Sequence, residues 1–219
     1  MSALRGTHNA GLVCIASSLS LLLCATPVFA QDMRSIFGDQ QKPHIDPAGF
    51  FAVILPGGFD CQTQARKVVC QGNRGMPALL TIDVLDVPIS ATAELVLLNE
   101  MARLKKKPHF KLISKRKEQI DNGPAMLAAF NYDHNGNVEL SVAVQQLYIV
   151  RGGKEYFIHY ESSLGGFGVY QKDLRQVYGS LRLARLDGGG NPIVEDLRPR
   201  DVKNDSGAPE LDRALKGGY

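Results

Sequence analysis

A short segment carries the densest group of basic residues in the sequence. Its members are Arg103, Lys105, Lys106, Lys107, Lys111, Lys115, Arg116 and Lys117. Such a group can bind anionic partners, namely phospholipid headgroups, lipopolysaccharide phosphates or an acidic protein. The alternative is a solvated helix end that runs into an exposed strand, and both interpretations stay open. No aromatic stacking platform is interleaved with the lysines, which argues against nucleic acid as a partner.

Two cysteines have the spacing of a disulfide bond across a hairpin. Residues 59–64 and 67–71 predict two strands joined by a turn at Ala65-Arg66. In that register Cys61 lies opposite Cys70, where the Cβ atoms of an antiparallel pair are close enough for a disulfide bond. The sequence therefore predicts a Cys61–Cys70 bond.

Other chemically active side chains do not combine into a recognisable centre. Four histidines follow the N-terminal segment and fall on different predicted elements: His44, His109, His134 and His159. They lack the spacing of metal ligands. No serine lies in a G-x-S-x-G motif. The sequence predicts a protein that is not an enzyme and that needs neither a metal ion nor a cofactor.

The elements that must position these residues follow the order of four strands, a helix, four strands and a helix. The predicted strands are 50–55, 59–64, 67–71, 78–87, 110–120, 126–132, 138–150 and 155–162. Tight turns between the strands indicate an antiparallel sheet, and each helix must bury its apolar side on that sheet. The predicted class is α+β, with two helices packed on the sheet.

The apolar faces of the predicted helices follow from their spacing. Ser90 or Thr92 can cap the first helix, since either side chain can accept a hydrogen bond from the first turn. Its predicted apolar face is Leu95, Leu98, Met101, Ala102 and Leu104. The predicted apolar face of the second helix is Tyr170, Leu174, Val177, Tyr178 and Leu181.

Strand alternation divides the side chains of the last strand between two faces of the sheet. Tyr156, Ile158 and Tyr160 share one face, and Phe157 and His159 share the other. One face is expected to be core, which leaves aromatic side chains on the other to line a groove. Packing of the whole set into the core is the alternative.

The two ends of the sequence differ in composition from its middle. Arg5 and His8 precede an apolar run that ends at Ala25, and the small residues Val28 and Ala30 form a cleavage site before Gln31. This is the pattern of a secretory signal peptide, and Cys14 and Cys24 fall inside it. The formal net charge of +3 drops to about +2 on cleavage, because Arg5 is removed. The predicted organisation is a signal peptide (1–30), a flexible lead (31–47), a domain (48–185) and a disordered tail (186–219).

One predicted strand has a recognisable sequence, Phe51-Ala52-Val53-Ile54-Leu55-Pro56-Gly57-Gly58-Phe59. It is similar to the opening "F-x-V-x-L-P-x-G-F/W" strand of the PsbP-like domains, a group that includes Mog-type proteins and exported bacterial proteins of the DcrB type. The turn Gly123-Pro124-Ala125 and the closing helix that ends near Tyr178–Leu183 are similar too. The resemblance covers roughly residues 48–185. It implies an αβα sandwich that binds or supports other proteins and has no shared catalytic centre.

These features predict an exported, non-enzymatic interaction module, periplasmic or secreted, that serves as an accessory or assembly factor for an envelope complex. The expected partner is another envelope protein, with anionic lipid or lipopolysaccharide as a further possibility and nucleic acid excluded. The alternative function is binding of a small molecule or lipid in a cavity between sheet and helix. The sequence leaves the oligomeric state and the identity of the partner open.

Overall fold

The computed structural model of the protein describes residues 42–134, 141–194 and 197–199. The predicted signal peptide with its cleavage site at Ala30, the first part of the predicted lead (31–41) and the last part of the predicted tail (200–219) lie outside these residues.

A seven-stranded antiparallel sheet forms the centre of the fold, in the order β3-β4-β5-β9-β8-β7-β6. Its strands are β3 (Phe59–Gln64), β4 (Lys67–Gly72), β5 (Ala78–Asp86), β6 (Lys111–Ile120), β7 (Gly123–Asp133), β8 (Ser141–Arg151) and β9 (Lys154–Ser163). Neighbouring strands in sequence pair as hairpins, with one exception: β5 pairs with β9. The first helix is inserted between β5 and β6, which leaves β9 to pair with β5 and complete the sheet.

Two smaller sheets accompany the large one. The first has the order β1-β2-β10 and consists of β1 (Lys42–Ile45), β2 (Phe51–Leu55) and β10 (Arg182–Leu183). The second pairs β11 (Arg185–Leu186) with β12 (Pro192–Ile193). The apolar run predicted as the opening strand is therefore the central strand of the first small sheet. Its burial between two partners explains why it contains consecutive apolar residues.

Two helices lie on opposite faces of the large sheet. Helix α1 (Ala93–Leu104) packs against one side of β7 and β8, where Met126, Ala128 and Tyr148 point towards it. Helix α2 (Gln171–Ser180) follows a 3-10 helix (Leu164–Tyr170) and lies on the other face, together with the first small sheet. The predicted α+β class and its αβα arrangement are confirmed. Among the described residues, no helix is long and apolar enough to cross a membrane.

Helix α1 begins as predicted but buries a different face. The hydroxyl of Thr92 accepts a hydrogen bond from the backbone N–H of Leu95, which caps the helix. The residues buried on the sheet are Ala93, Leu97, Met101 and Leu104. Leu95 and Leu98, which the spacing predicted to be buried, are 48% and 62% exposed. Ala102, predicted on the same face, is exposed as well. The prediction was wrong at these three positions because α1 carries two overlapping apolar stripes, and only one can face the sheet.

The second face of the sheet carries the larger core. Tyr156, Ile158 and Tyr160 of β9 point into it and are at most 1% exposed. Leu174, Val177 and Leu181 close this core from α2, in agreement with the predicted apolar face of that helix. Phe157 and His159 point to the α1 side, as strand alternation predicted, and both are only half-buried.

The predicted disulfide bond is present. In the β3–β4 hairpin Cys61 lies directly opposite Cys70, and the two sulfur atoms are bonded. Arg66 occupies the second turn position with a positive φ of 65°. Its backbone N–H donates to a carboxylate oxygen of Asp46 at 2.6 Å, which fixes the hairpin to the chain that precedes β2.

The described residues include strands on both sides of the predicted domain boundaries of 48 and 185. Before residue 48, β1 pairs with β2 over four residues. After residue 185, β12 pairs with β11, and Leu197 is buried against Ala52 and Ala184. These segments are short and polar and show no periodicity, so their order depends on tertiary contacts rather than on a local pattern.

Candidate binding groove

The basic residues that the sequence groups together do not form one surface. Arg103 lies in the last turn of α1 and makes two hydrogen bonds to Glu100, of 2.6 and 2.9 Å. Lys105, Lys106 and Lys107 follow in the connection to β6, and the ammonium group of Lys107 lies 4.2 Å from the ring centre of Tyr132.

The remaining basic residues lie on β6, at one edge of the large sheet. Lys115 and Lys117 pair with Ala128 and Met126 and therefore share the α1 face. Arg116 points to the opposite face, where its guanidinium group contacts Glu118 at 2.5 Å. Lysines on an edge strand also have a structural use, because they oppose pairing of the open edge with another chain.

Four of these basic side chains have no ionic partner in the part of the chain that the structure describes. They are Lys105, Lys106, Lys111 and Lys115. Lys117 differs, because its ammonium group lies 3.7 Å from a carboxylate oxygen of Glu94. The unpaired lysines lie around the carboxyl end of α1 and along β6, so this end of the molecule is positively charged.

The histidines are spread over the fold, as their positions in the sequence indicated. His109 pairs with Asp133, and His159 lies 3.1 Å from the side-chain nitrogen of Gln146. Burial lowers the pKa of His44, although Asp46 opposes this effect. Within residues 42–134, 141–194 and 197–199, no three histidine, cysteine or carboxylate side chains come together as metal ligands.

A groove lies between α1 and the sheet. Because α1 covers β7 and β8, the same face of β5 and β9 remains open beside the helix. The groove has a volume of about 620 Å³. It is lined by Leu85, Val87, Pro88, Ser90, Ala91, Leu95, Val96, Asn99, Glu100, Arg103, Tyr148, Glu155 and Phe157. This size lies within the range of about 300–1,000 Å³ that small-ligand sites occupy.

The groove contains a buried acid. Glu155 of β9 is 7% exposed and shares the α1 face with Leu85 and Val150, its neighbours on the flanking strands. Burial raises the pKa of its carboxyl group, and the nearby carboxylates of Glu100 and Asp83 raise that pKa further. Each of those two carboxylates has a cation of its own: Arg103 for Glu100, and Lys67 at 3.3 Å for Asp83.

A chain of polar side chains continues from the groove along the same face of the sheet. The hydroxyl of Tyr148 donates to the amide oxygen of Gln146 at 2.5 Å, and Gln146 in turn contacts His159. His159 lies 3.6 Å from Glu161, which also accepts a hydrogen bond from the hydroxyl of Tyr132 at 3.0 Å. The contact with His159 has the largest effect on the pKa of Glu161 and lowers it. Burial raises that pKa, and the hydrogen bond from Tyr132 lowers it. Glu161 thus differs from Glu155, whose carboxylate makes no hydrogen bond or ion pair with the residues that the structure describes.

Exposed apolar side chains surround the entrance of the groove. Leu85 and Leu95 line it and are 43% and 48% exposed, and Ile89, between two lining residues, is 87% exposed. Single exposed apolar residues are ordinary on protein surfaces, but several beside one groove indicate a binding surface. We call Leu85, Ile89 and Leu95 the apolar rim.

Sequence reasoning found part of this site. It predicted that Phe157 and His159 share one face of β9 and that aromatic side chains on the non-core face line a groove, without deciding which face is core. It also named a cavity between sheet and helix as an alternative. It missed Glu155 and the apolar rim, because Leu95 was assigned to the buried stripe of α1. A signal was present: Ala93, Leu97, Met101 and Leu104 fit helical spacing as well as the predicted set does.

Comparison with known proteins finds matches among solved structures alone. No family model matches the chain, and no curated protein matches it. Three of the solved structures that match come from different organisms. One is Mog1p, a Ran-binding protein of Saccharomyces cerevisiae, and another is LpqN of Mycobacterium tuberculosis, which is described as involved in cell envelope biogenesis. The third is the cyanobacterial PsbP of Synechocystis.

The three structures are distant from this chain in sequence. Mog1p is 9% identical with a TM-score of 0.48, and the match covers 65% of this chain and 95% of Mog1p. LpqN is 12% identical with a TM-score of 0.49, covering 66% and 90%. Cyanobacterial PsbP is 14% identical with a TM-score of 0.45, covering 65% and 91%. The resemblance to PsbP-like and Mog-type proteins is confirmed as one of fold alone.

Proposed function

We propose that this chain is an exported, non-enzymatic interaction module that binds a partner protein in the groove beside α1, as an accessory or assembly factor of an envelope complex. The observation that carries the proposal is the apolar rim beside the groove. Full burial of an exposed Leu or Ile side chain contributes about 1.5–3 kcal/mol. A partner that covers the rim would therefore gain a substantial part of its binding free energy there.

Export is supported by the disulfide bond. Cys61 and Cys70 are bonded in the β3–β4 hairpin, and such bonds form and persist mainly in oxidising compartments. The signal peptide predicted for residues 1–30 agrees with this. A periplasmic or secreted location follows if the signal is cleaved near Ala30.

The unpaired lysines provide a second contact in this proposal. Lys105, Lys106, Lys111 and Lys115 would attract an acidic region of the partner, and charges of this kind act mainly on the rate of association. Replacement of Lys105, Lys106 and Lys107 by Glu is expected to reduce capture of the partner, most strongly at low salt. Anionic lipid or lipopolysaccharide would instead be indicated if the same variant lost binding to vesicles that contain anionic lipid.

Site-specific photocrosslinking in cells tests the proposal. A photoreactive residue at Ile89 in the apolar rim is expected to give one dominant crosslinked protein. Val169 is the matched control, because it is also an exposed apolar residue, 40% exposed, on the 3-10 helix. Equal labelling from both positions, or no protein adduct at Ile89, would contradict the proposal. Turnover of a substrate by the pure protein would contradict its non-enzymatic part.

The volume of the groove favours a second candidate function, the binding of a small molecule or lipid. A space of about 620 Å³ with aliphatic walls and a few polar groups has the character of a ligand site. Native mass spectrometry of protein purified from the exporting cell tests this candidate. A co-purified ligand that is lost from a Leu95→Arg variant would support it, and a ligand-free protein would count against it.

A further inference from the structure

We propose that the groove recognises a cationic group at the end of an aliphatic stem, such as the side chain of a lysine on the partner protein, with Glu155 as the anionic group that receives it. The inference rests on the proposed function in one respect, because it assigns the chemistry of the same groove. Its first support is the position of Glu155: the residue is 7% exposed, and its side chain lines the groove.

The second support is the lack of compensation for this carboxylate. In the described part of the chain, no hydrogen bond or ion pair joins Glu155 to another residue. Placing an ionised carboxylate in a site of low polarity costs free energy unless a cation or hydrogen-bond donors accompany it. A positively charged ligand would supply the missing partner and remove that cost, so the groove favours a cation over a neutral or anionic group.

The third support is the distribution of the surrounding charges. Glu100 also lines the groove, and Asp83 lies near enough to act on Glu155 electrostatically. Arg103 balances the charge of Glu100, and Lys67 balances that of Asp83. Neither cation is therefore left to balance the charge of Glu155. Together these five groups carry one net negative charge, which is that of Glu155.

The fourth support is the shape of the path to Glu155. Leu85 pairs with Glu155 across β5 and β9, and Leu95 lines the groove from α1. An unbranched aliphatic stem that contacts these two leucines would end near the carboxylate. Lysine combines such a stem with a terminal ammonium group, which distinguishes it from the planar guanidinium group of arginine.

Three probes with the same aliphatic chain test the inference: n-octylammonium, n-octanol and n-octanoate. Binding to the full protein is followed by ¹H–¹⁵N NMR at neutral pH. We expect n-octylammonium to shift the amide signals of Leu85, Leu95 and Glu155 and to bind about tenfold more tightly than n-octanol, since a hydrogen bond between two charged groups is stronger than one to a neutral hydroxyl. n-Octanoate is expected to bind most weakly.

The variant Glu155→Gln removes the charge and keeps the size of the side chain. It is expected to abolish the tenfold preference for n-octylammonium and to leave the binding of n-octanol unchanged. Glu118→Gln is the matched control, because Glu118 pairs with Ala125 and lies on the opposite face of the sheet. This control is expected to keep the preference.

Two outcomes would overturn the inference. One is equal binding of the three probes to the unaltered protein, or no binding in the groove. The other is a preference for the ammonium group that persists in Glu155→Gln. Because the probes need no partner protein, these outcomes are separate from the crosslinking result at Ile89. Binding of n-octylammonium without any crosslinked protein would keep the cation site and transfer the function to a small cationic ligand.

Discussion

At the scale of single residues, the contrast between Glu155 and Glu161 shows how environment sets the state of a carboxyl group. Both residues lie on the same strand and point to the same face of the sheet. Glu161 has His159 and Tyr132 as partners, and its pKa is lowered. Glu155 has other carboxylates nearby, and burial raises its pKa. A charge that the fold leaves uncompensated, as at Glu155, is more common in a functional site than in a structural one.

The first prediction concerns the effect of Glu155 on stability at different pH values. The ordinary pKa of a Glu carboxyl group, 4.5, applies to the unfolded chain, and the folded protein has a higher value. Between these two values the folded state binds more protons than the unfolded state, so the free energy of unfolding falls as pH rises through this window. Glu155→Gln removes this loss. We expect its Tm to match that of the unaltered protein near pH 4 and to exceed it by a few degrees at pH 7.

Thermal unfolding followed by circular dichroism at both pH values measures this effect. The groups facing Glu155 must be considered in the comparison: Glu100 and Arg103 on α1, Asp83 on β5 and Tyr148 on β8. Glu94→Gln is a suitable control, because the side chain of Glu94 is 61% exposed. A lower Tm for Glu155→Gln at pH 7 would show that Glu155 is compensated in the folded protein.

At the scale of elements, α1 carries two apolar stripes, and only one of them packs on the sheet. The stripe with Leu97 covers the sheet, and the stripe with Leu95 and Leu98 remains exposed. The stripe with Leu97 already covers the face of β7 and β8, so the second stripe stays at the surface, where the proposed partner would bind. The exposed stripe is therefore a consequence of how α1 docks.

The second prediction compares two leucines that are neighbours in α1. Leu97 is 1% exposed, and replacement by Ala is expected to lower the free energy of unfolding by about 2–5 kcal/mol, because a cavity would remain in the core. Leu98 is 62% exposed, and the same replacement is expected to change stability by less than about 0.5 kcal/mol. Urea unfolding of both variants measures the difference. Similar losses would mean that Leu98 is buried as the spacing first predicted.

The third prediction concerns the β3–β4 hairpin. Replacement of both Cys61 and Cys70 by Ala is expected to lower the free energy of unfolding by about 2–3 kcal/mol in the chain-entropy model, since the bond spans a separation of nine residues. Unfolding of the unaltered protein with and without a reducing agent gives an independent measurement. If reduction leaves Tm unchanged, the bond has no stabilising role.

At the scale of the whole molecule, one half-buried acid connects three separate parts of the chain. Asp121 lies in the turn between β6 and β7, with a positive φ of 49°. Its carboxylate accepts hydrogen bonds from the backbone N–H of Leu183 at 2.9 Å and from the guanidinium group of Arg182 at 3.0 Å. The guanidinium group of Arg151, at the end of β8, lies 3.6 Å away. The edge of the large sheet is thereby joined to the small sheet.

The fourth prediction follows from this connection. Asp121→Ala leaves two arginines without their carboxylate and is expected to lower the free energy of unfolding by about 2–3 kcal/mol. Asp60→Ala is the control, because Asp60 is exposed and its side chain, among the described residues, contacts only Asn73, at 3.4 Å. Hydrogen exchange is expected to speed up in β10 and in the β6–β7 turn of Asp121→Ala. Unchanged exchange in β10 would contradict the connecting role.

Local sequence patterns were enough to predict those parts of the fold that depend on interactions between residues close in the chain. The hairpin register that pairs Cys61 with Cys70, the alternation in β9 and the Thr92 cap depend on neighbours a few residues apart. The strand that resembles the PsbP-like opening was also recognised, although its place in a separate small sheet was not. The site was harder to predict, since its residues come from β5, α1, β8 and β9.

The sequence by itself determined the α+β class, the antiparallel hairpins and the disulfide bond, because alternation, turns and short-range register encode them directly. Only the tertiary structure decided which stripe of α1 is buried, and that Arg116 and Lys117 point to opposite faces. Only the tertiary structure also decided that no cation among the described residues pairs with Glu155. The physical reason is that burial and charge compensation are properties of the space between elements. Residues far apart in the chain fill that space, and no local pattern records it.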